Sequence, residues 1–577
     1  MEVFFGVVFS SFTRIRRRSA AALILLFCGL YLLPLGLRPI MRPDEFRYAE
    51  IAREMLVTGN WISPRLNGVR YFEKPAPGMA LNAAAFRAFG ENAFALRFGS
   101  ALAVLLTAAA VFRFARSNSR DPLMPGVAAA VYLTSGLVYG VGTFAVLDSV
   151  LTLFLTLAVM SVYAAWNGAP NARQGWRYRV YASLMLCFAG LFAAGAFLVK
   201  GFLALAIPGM TAAAFLVWQK DWKKLFLFPW IPAAALTLTV LPWAVALHAA
   251  EPDFWRYFIM EEHINRFLSS TYDRDPQPFW YFVPILLGGC LPAGLVWFAA
   301  WRGAVRDAFR RPFIRFLLCW AVLPFLFFSA ASCKLGTYIL PCFPPLALLT
   351  AAALCRALRT RLAETRKILA VLRKSWGILW LAAAAAVPVF LLAAPHVGKL
   401  PPPYPDGAGM AWGFAAVSLV YGLLVLRKSP ALAPGKRLAI LLFGLIGPVV
   451  CGLAAIPGPL FGDRMTGIGL AECLRQVPVS PDDVVLTGRS EMAAVAWTLK
   501  RADLIVVGKP GELAYGFKNY PGEYAGRHCP DEALRDLIAR HRGRVAYITT
   551  KRNLRKHPLP PGGGAYAEHC GMAIKRY

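Results

Sequence analysis

Residues 20–50 read "AAALILLFCGLYLLPLGLRPIMRPDEFRYAE". An apolar run from about Ala20 to Leu37 gives way almost at once to two adjacent carboxylates, Asp44 and Glu45. A run of ~20 apolar residues is enough to cross a bilayer. A charge at the centre of such a span costs ~2.5–3.5 kcal/mol on the mildest scale and less at its exit. The pair therefore sits at the lipid boundary, where charge is tolerated. The remaining sequence has to say whether it does more there.

Runs of the same kind recur along the chain. By the length criterion there are 13 candidate spans, at about 20–40, 93–112, 124–143, 148–166, 180–198, 202–218, 225–247, 279–301, 315–332, 338–355, 376–394, 410–426 and 438–456. With 58% hydrophobic residues and a mean hydropathy of +0.52, the fold class is an α-helical polytopic membrane protein. The net charge of +31 does not mark a nucleic-acid binder. Its lysines and arginines gather in every second loop: Arg14 to Arg18, Arg113 to Arg120, Arg173 to Arg179, Lys220 to Lys224, Arg302 to Arg315, Arg356 to Lys374, and Arg427 to Arg437. That alternation is the positive-inside signature, and it places the N-terminus in the cytoplasm and, after 13 crossings, the C-terminus outside. The first span lacks a small-residue cleavage site and reads as an anchor. Eleven cysteines are scattered without a CxxC pair. Cys473, Cys529 and Cys570 lie in the outside tail, where a bridge is open to them and its connectivity is undetermined.

The outside loops hold the chemistry-bearing residues. The longest are 41–92 and 248–278, while the cytoplasmic loops are short and basic. In the first, Tyr48, Ile51 and Met55 recur at helical spacing, which suggests a short amphipathic helix along the membrane surface. Asn67-Gly68 signals a tight turn. From residue 458 to 577 the composition changes. "DVVLTG" (483–488), "ADLIVVG" (502–508) and "RVAYIT" (544–549) read as buried strands, alternating with helical "EMAAVAWTLK" and "DEALRDLIARHR". This second domain is a small soluble α/β unit with "MAIKRY" as a candidate last strand, outside the membrane. It carries no GxGxxG or P-loop and reads as accessory.

Neighbours on a helix point ~100° apart, so Asp44 and Glu45 cannot face one site together. One faces it and the other packs or caps. Asp148, in "FAVLDSVLTL", opens another span, where an N-cap role competes with a catalytic one. Glu73 and Lys74 in "YFEKP", Lys200 in "FLVKGF", and Lys334 with Tyr338 in "SCKLGTYILP" all fall on the outer face. Lysines there run against the positive-inside bias, and cations at a membrane exit suit a lipid phosphate.

These segments resemble one family. "RPDEFRYAEIAREMLVTGNWISPRLNGVRYFEKP" (42–75) is similar to the first periplasmic loop of the bacterial 4-amino-4-deoxy-L-arabinose lipid A transferases. Those are polyprenyl-phosphate-dependent glycosyltransferases of the GT-C class, related to protein O-mannosyltransferases. "LVKGFLALAIPG" (198–209), "EEHINRF" (261–267) and "KLGTYILPCFPPLALL" (334–349) follow in the family's order, so the likeness covers most of 40–350. Two departures stand out: "EKPAPGMAL" lacks the second Pro and the aromatic common there, and "KLGTY" has Gly where Pro is usual.

The resemblance implies a donor sugar on undecaprenyl phosphate and a phosphate acceptor on lipid A, at the periplasmic face of the bacterial inner membrane. It implies catalytic roles for Asp44 and Asp148. Lys74 and Tyr338 fall in segments associated with the lipid phosphate. Lys200, Lys334 and Arg47 are further candidate cations, and Glu45, Glu73 and His263 are supporting residues. A departing phosphate needs positive charge placed in advance in a water-poor site. No cofactor is called for. A divalent metal stays open, for instance on a carboxylate–imidazole site such as Glu73 with His263, although no HxxxH lies in an outer loop. Asp44 could act as a base, orient a cation or stabilise an oxocarbenium-like sugar. With no evident covalent nucleophile, direct inverting displacement is expected. Two rivals remain. One is transfer to protein Ser/Thr or another envelope glycan. The other is a lipid flippase or transporter, which would predict mid-membrane charges and a repeat that this sequence lacks.

Overall fold

Seven helices among the described residues are long and apolar enough to cross a membrane: Ala93–Asn118, Asp148–Asn167, Gly175–Lys200, Trp222–Ala250, Pro312–Ala330, Gly336–Arg356 and Trp376–Ala393. The computed structural model describes residues 24, 27–168, 175–265, 276–291, 293–297, 309–359, 363–393, 407–427, 466–556 and 564–577. Three shorter apolar helices, Leu203–Trp218, Phe279–Gly289 and Trp412–Leu426, fall on further expected spans. The expected span at 124–143 is a pair, Met124–Thr134 and Gly136–Gly142, bent by 62°. Ser135 at the break is extended, and its hydroxyl donates back to Val131 O at 2.7 Å. Such back-bonding bends helices. The expected count of 13 is thus not reached among the described residues. The span at 438–456 lies outside them, and of 20–40 only the exit is described fully. That exit is wound as a π turn (Cys28–Leu32) and a 3₁₀ turn (Leu33–Leu35), with Tyr31 donating to Leu133 O at 2.8 Å.

The first loop is ordered. After the helix Asp44–Thr58, closed by left-handed Gly59, a two-residue hairpin pairs β1 (Arg65–Leu66) with β2 (Val69–Arg70). Asn67 and Gly68 at its tip both have positive φ, 55° and 72°, as a type I′ turn requires. A Cβ on Gly68 would also lie 2.7 Å from Ala502 O, so glycine alone permits the close approach of the C-terminal domain.

That domain is a six-stranded sheet in the order β5-β4-β3-β6-β8-β7. Strands β3 (Val484–Gly488), β4 (Ile505–Val507), β5 (His528–Cys529) and β6 (Val545–Thr550) are parallel, while β7 (Tyr566–His569) and β8 (Met572–Arg576) add antiparallel. The expected strands and helices are found, with β5 and β7 in addition. Cys473, Cys529 and Cys570 are all unbridged.

The first-loop helix corrects one expectation. It does not lie on the lipid surface, because every residue from Glu45 to Met55 is buried. Membrane helices and the helix Ala76–Phe89 cover one side, and Arg489–Leu499 of the C-terminal domain covers the other. A stripe pattern alone cannot reveal a lid supplied from so far along the chain. One continuous buried cluster accordingly runs from Phe27 through the membrane helices to Ile574.

Candidate functional site

Asp44 is the first residue of the helix Asp44–Thr58, with its side chain one-third exposed. One turn on, Arg47 bonds both Asp44 and Glu512, the latter from a 3₁₀ turn (Gly511–Leu513) of the C-terminal domain. Glu45 points elsewhere. Arg97 grips its two oxygens at 2.7 and 2.6 Å, and the amides of Met41 and Ala145 donate at 2.9 and 3.0 Å. Burial would raise this carboxyl, but Arg97 and Arg38 outweigh it and hold it below the usual range. Glu45 fastens the loop to the bundle, and Asp44 is left facing the site.

Lys74 enters from the other end of the loop. Its Nζ donates to Glu262 at 2.9 Å and to Glu73 O at 2.7 Å. Glu73 is pushed up to about 7 by burial first, then by the charges of Glu262 and Glu512. Asp148 opens the helix Asp148–Asn167 without capping it, and its carboxylate accepts from Lys200 at 2.8 Å. The Lys200 ammonium lies over the Tyr338 ring, 5.5 Å from its centre. Tyr48 links the groups. Burial raises its phenol, and Asp44, Asp148 and Glu73 are near enough to add to the shift while Arg47 opposes it. The charges of Asp44, Arg47, Glu73 and Asp148 thus all act on one phenol. Lys74 and Lys200 reach the same place through their partners.

Lys334 stands apart, whereas His263 feels the charges of Lys74 and Glu262. Lys334 donates to Ala331 O and Gln277 O at 2.5 and 2.7 Å, tying loop ends together rather than joining the carboxylates. His263 accepts from the Phe202 amide through Nε2 at 3.3 Å. Its Nδ1 is 2.7 Å from Phe258 O and so carries the proton. Burial lowers its basicity. Among the described residues, no three His, Cys, Asp or Glu side chains converge as metal ligands. Sequence reasoning passed over Glu262, although it lies inside a quoted segment. It missed Glu512 altogether, for no motif surrounds it.

Three cations, Arg47, Lys74 and Lys200, are each held on a carboxylate, an arrangement that can exchange that carboxylate for another anion. Relatives decide the family. Over 544 residues the chain is 38% identical to the undecaprenyl phosphate-alpha-4-amino-4-deoxy-L-arabinose arabinosyl transferase of Edwardsiella ictaluri, covering 90% of this chain and 91% of that one. This chain belongs to that arabinosyl transferase family. The Enterobacter sp. (strain 638) member is 36% identical over 86% of this chain and 87% of its own. A second Proteus mirabilis member is 34% identical over 98% and 99%.

Residues 18–258 match the dolichyl-phosphate-mannose-protein mannosyltransferase family, and residues 474–573 match the arabinosyl transferase ArnT C-terminal domain. In fold, the chain resembles the crystal structure of ArnT from Cupriavidus metallidurans bound to undecaprenyl phosphate, with a TM-score of 0.71 at 21% identity over 96% and 97% of the chains. An Archaeoglobus fulgidus oligosaccharyltransferase is more distant, with a TM-score of 0.53 at 12% identity over 93% and 69%. The arabinosyl transferase reading makes this a multi-pass membrane glycosyltransferase of the GT-C fold.

Proposed function

We propose that the enzyme moves 4-amino-4-deoxy-L-arabinose from undecaprenyl phosphate to a phosphate of lipid A, at the periplasmic face of the bacterial inner membrane. The observation that carries the reading is the set of paired cations, Arg47 on Asp44, Lys74 on Glu262 and Lys200 on Asp148. The identity to curated arabinosyl transferases supports the choice of donor. Arg47 and Lys74 receive the donor phosphate and stabilise it as it leaves, exchanging a carboxylate partner for a phosphate one. Lys200 is held in place by Asp148 and Tyr338. Asp44, exposed beside the leaving group, steadies the positive charge that develops on the sugar, or takes the proton of a monoanionic acceptor phosphate. Attack is direct, with inversion. The basic loops support a cytoplasmic N-terminus, membrane segments to residue 457, and a periplasmic domain from 458 onward.

The test supplies purified enzyme with the undecaprenyl-phosphate aminopentose and lipid A, and weighs the product. Lipid A heavier by one aminopentose, with its phosphate retained, is expected. Transfer to a Ser/Thr peptide in place of lipid A would favour the protein-glycosylating rival. No transfer to either would sink the proposal.

A further inference from the structure

A site that handles two phosphates should carry surplus positive charge, and among the described residues this one does not. Five carboxylates, Asp44, Glu73, Asp148, Glu262 and Glu512, face three cations, Arg47, Lys74 and Lys200. Before the donor binds, Lys74 pairs with Glu262 and Lys200 with Asp148. Arg47 must serve Asp44 and Glu512 together. When a donor phosphate draws Arg47 toward itself, the shared carboxylates lose their counter-charge. Something cationic in the substrate has to replace it.

We propose that Glu512 is the residue that recognises the ammonium of the transferred sugar and makes the enzyme select an amino sugar. The inference rests on the donor reading above. Glu512 is the one member of the five carried by the C-terminal domain, and its side chain is 29% exposed. The donor's lipid tail belongs to the membrane helices, so its sugar projects beyond the phosphate, toward the domain that bears Glu512. The other carboxylates are less available. The Glu262 and Asp148 side chains are only 6% and 7% exposed beneath their lysines, and desolvation with the charges of Glu262 and Glu512 holds the Glu73 carboxyl up to about 7. Asp44 begins a helix, where the N-terminal dipole already offsets its charge. Glu512 has no such support beyond Arg47. An ammonium would find it accessible and half-neutralised.

The experiment compares two donors on the full-length enzyme with lipid A as acceptor: the undecaprenyl-phosphate aminopentose, and the same compound with its amine acetylated. A hydrogen bond to a charged group sets the expected scale, on the order of 10- to 100-fold in kcat/KM favouring the free amine in the parent. Glu512→Gln should lose that preference, falling on the amine donor while the acetylated donor reacts as before. Glu512→Asp should retain the preference. It also serves if the Gln variant does not fold, since a retained carboxylate should keep the amine donor ahead of the acetylated one, and a lost preference would count against the inference. An equal loss on both donors would show that Glu512 only positions Arg47, and an unchanged ratio would show that it does not meet the sugar. Either result overturns the inference. A parent that uses neither donor fails the donor reading itself, and the inference falls with it.

Discussion

Asn67 and Leu504 clasp each other across 437 residues of sequence. The Asn67 side-chain amide donates to Leu504 O at 2.9 Å, and the Leu504 amide donates back to Asn67 Oδ1 at 3.0 Å, both buried. A single side chain thus completes a backbone edge of the C-terminal domain with the tip of the first-loop hairpin. Arg527 reinforces the join, reaching Asn67 O and Ala502 O at 2.8 and 2.6 Å.

Removing that clasp should loosen the whole join. Asn67→Ala orphans two buried backbone groups at ~1–3 kcal/mol each, and it places a Cβ-only residue in the left-handed region, which costs ~1–2 kcal/mol more. Thermal unfolding in detergent should begin earlier, with protease releasing the C-terminal domain while the membrane part is still intact. A parental melting point and digestion pattern would show that the clasp is dispensable.

The first loop's carboxylate pair separates into two kinds of variant. Asp44→Asn keeps shape and removes charge, so expression should be normal and transfer should fall by ~10²–10⁴-fold. Glu45→Gln leaves Arg97 buried without its anion, a loss of ~3–5 kcal/mol, and should appear as poor yield and early aggregation on size exclusion. A fully active Asp44→Asn enzyme beside a Glu45→Gln enzyme as stable as the parent would reverse the assignment.

Lys74→Ala should raise the KM for the donor more than it changes kcat if the ammonium binds the lipid phosphate before reaction. The variant also strips Glu262 of its partner at 2.9 Å, so a modest loss of stability should accompany it. A donor titration that overlays the parent would reduce Lys74 to a structural tie.

Glu54 makes a prediction about pH. It is buried beside Glu50 and Arg53, with Lys500 and Arg65 lining the adjoining cleft and Arg527 behind Gly68. Burial, then the charge of Glu50, pushes its carboxyl from the ordinary 4.5 up to about 8. The folded state therefore holds a proton that the unfolded chain has released. Its contribution is fully present below about 4.5 and is lost as pH rises through about 8. The melting temperature should fall from about pH 6 to about pH 9, and Glu54→Gln should flatten that slope and exceed the parent at the alkaline end. Parallel slopes for the two proteins would refute it.

The sequence disclosed what local rules govern. Runs of apolar residues gave the seven spans seen among the described residues, and missed the break at Ser135, a bend that depends on a side chain folding back on its own helix. The Asn67-Gly68 turn was legible because two left-handed residues in succession admit few alternatives. Asp148 and Lys200 were legible singly, as charges at membrane exits. That they bond each other follows from the packing of two helices, which periodicity does not encode. Glu512 was illegible for a different reason. It lies 465 residues from Arg47, in a domain without a motif, and only the fold brings the two together.

The same separation has a consequence for how the enzyme comes into being. The first loop leaves the ribosome early, yet its helix is buried on one side only by Arg489–Leu499, which is made near the end of translation. Until then Arg47 lacks Glu512 and Asn67 lacks Leu504, the partners that the last domain brings. The first loop therefore lacks part of its packing through most of synthesis. A chain that stopped short of residue 489 would carry that loop without the helix, the carboxylate and the backbone edge that complete it in the full-length protein.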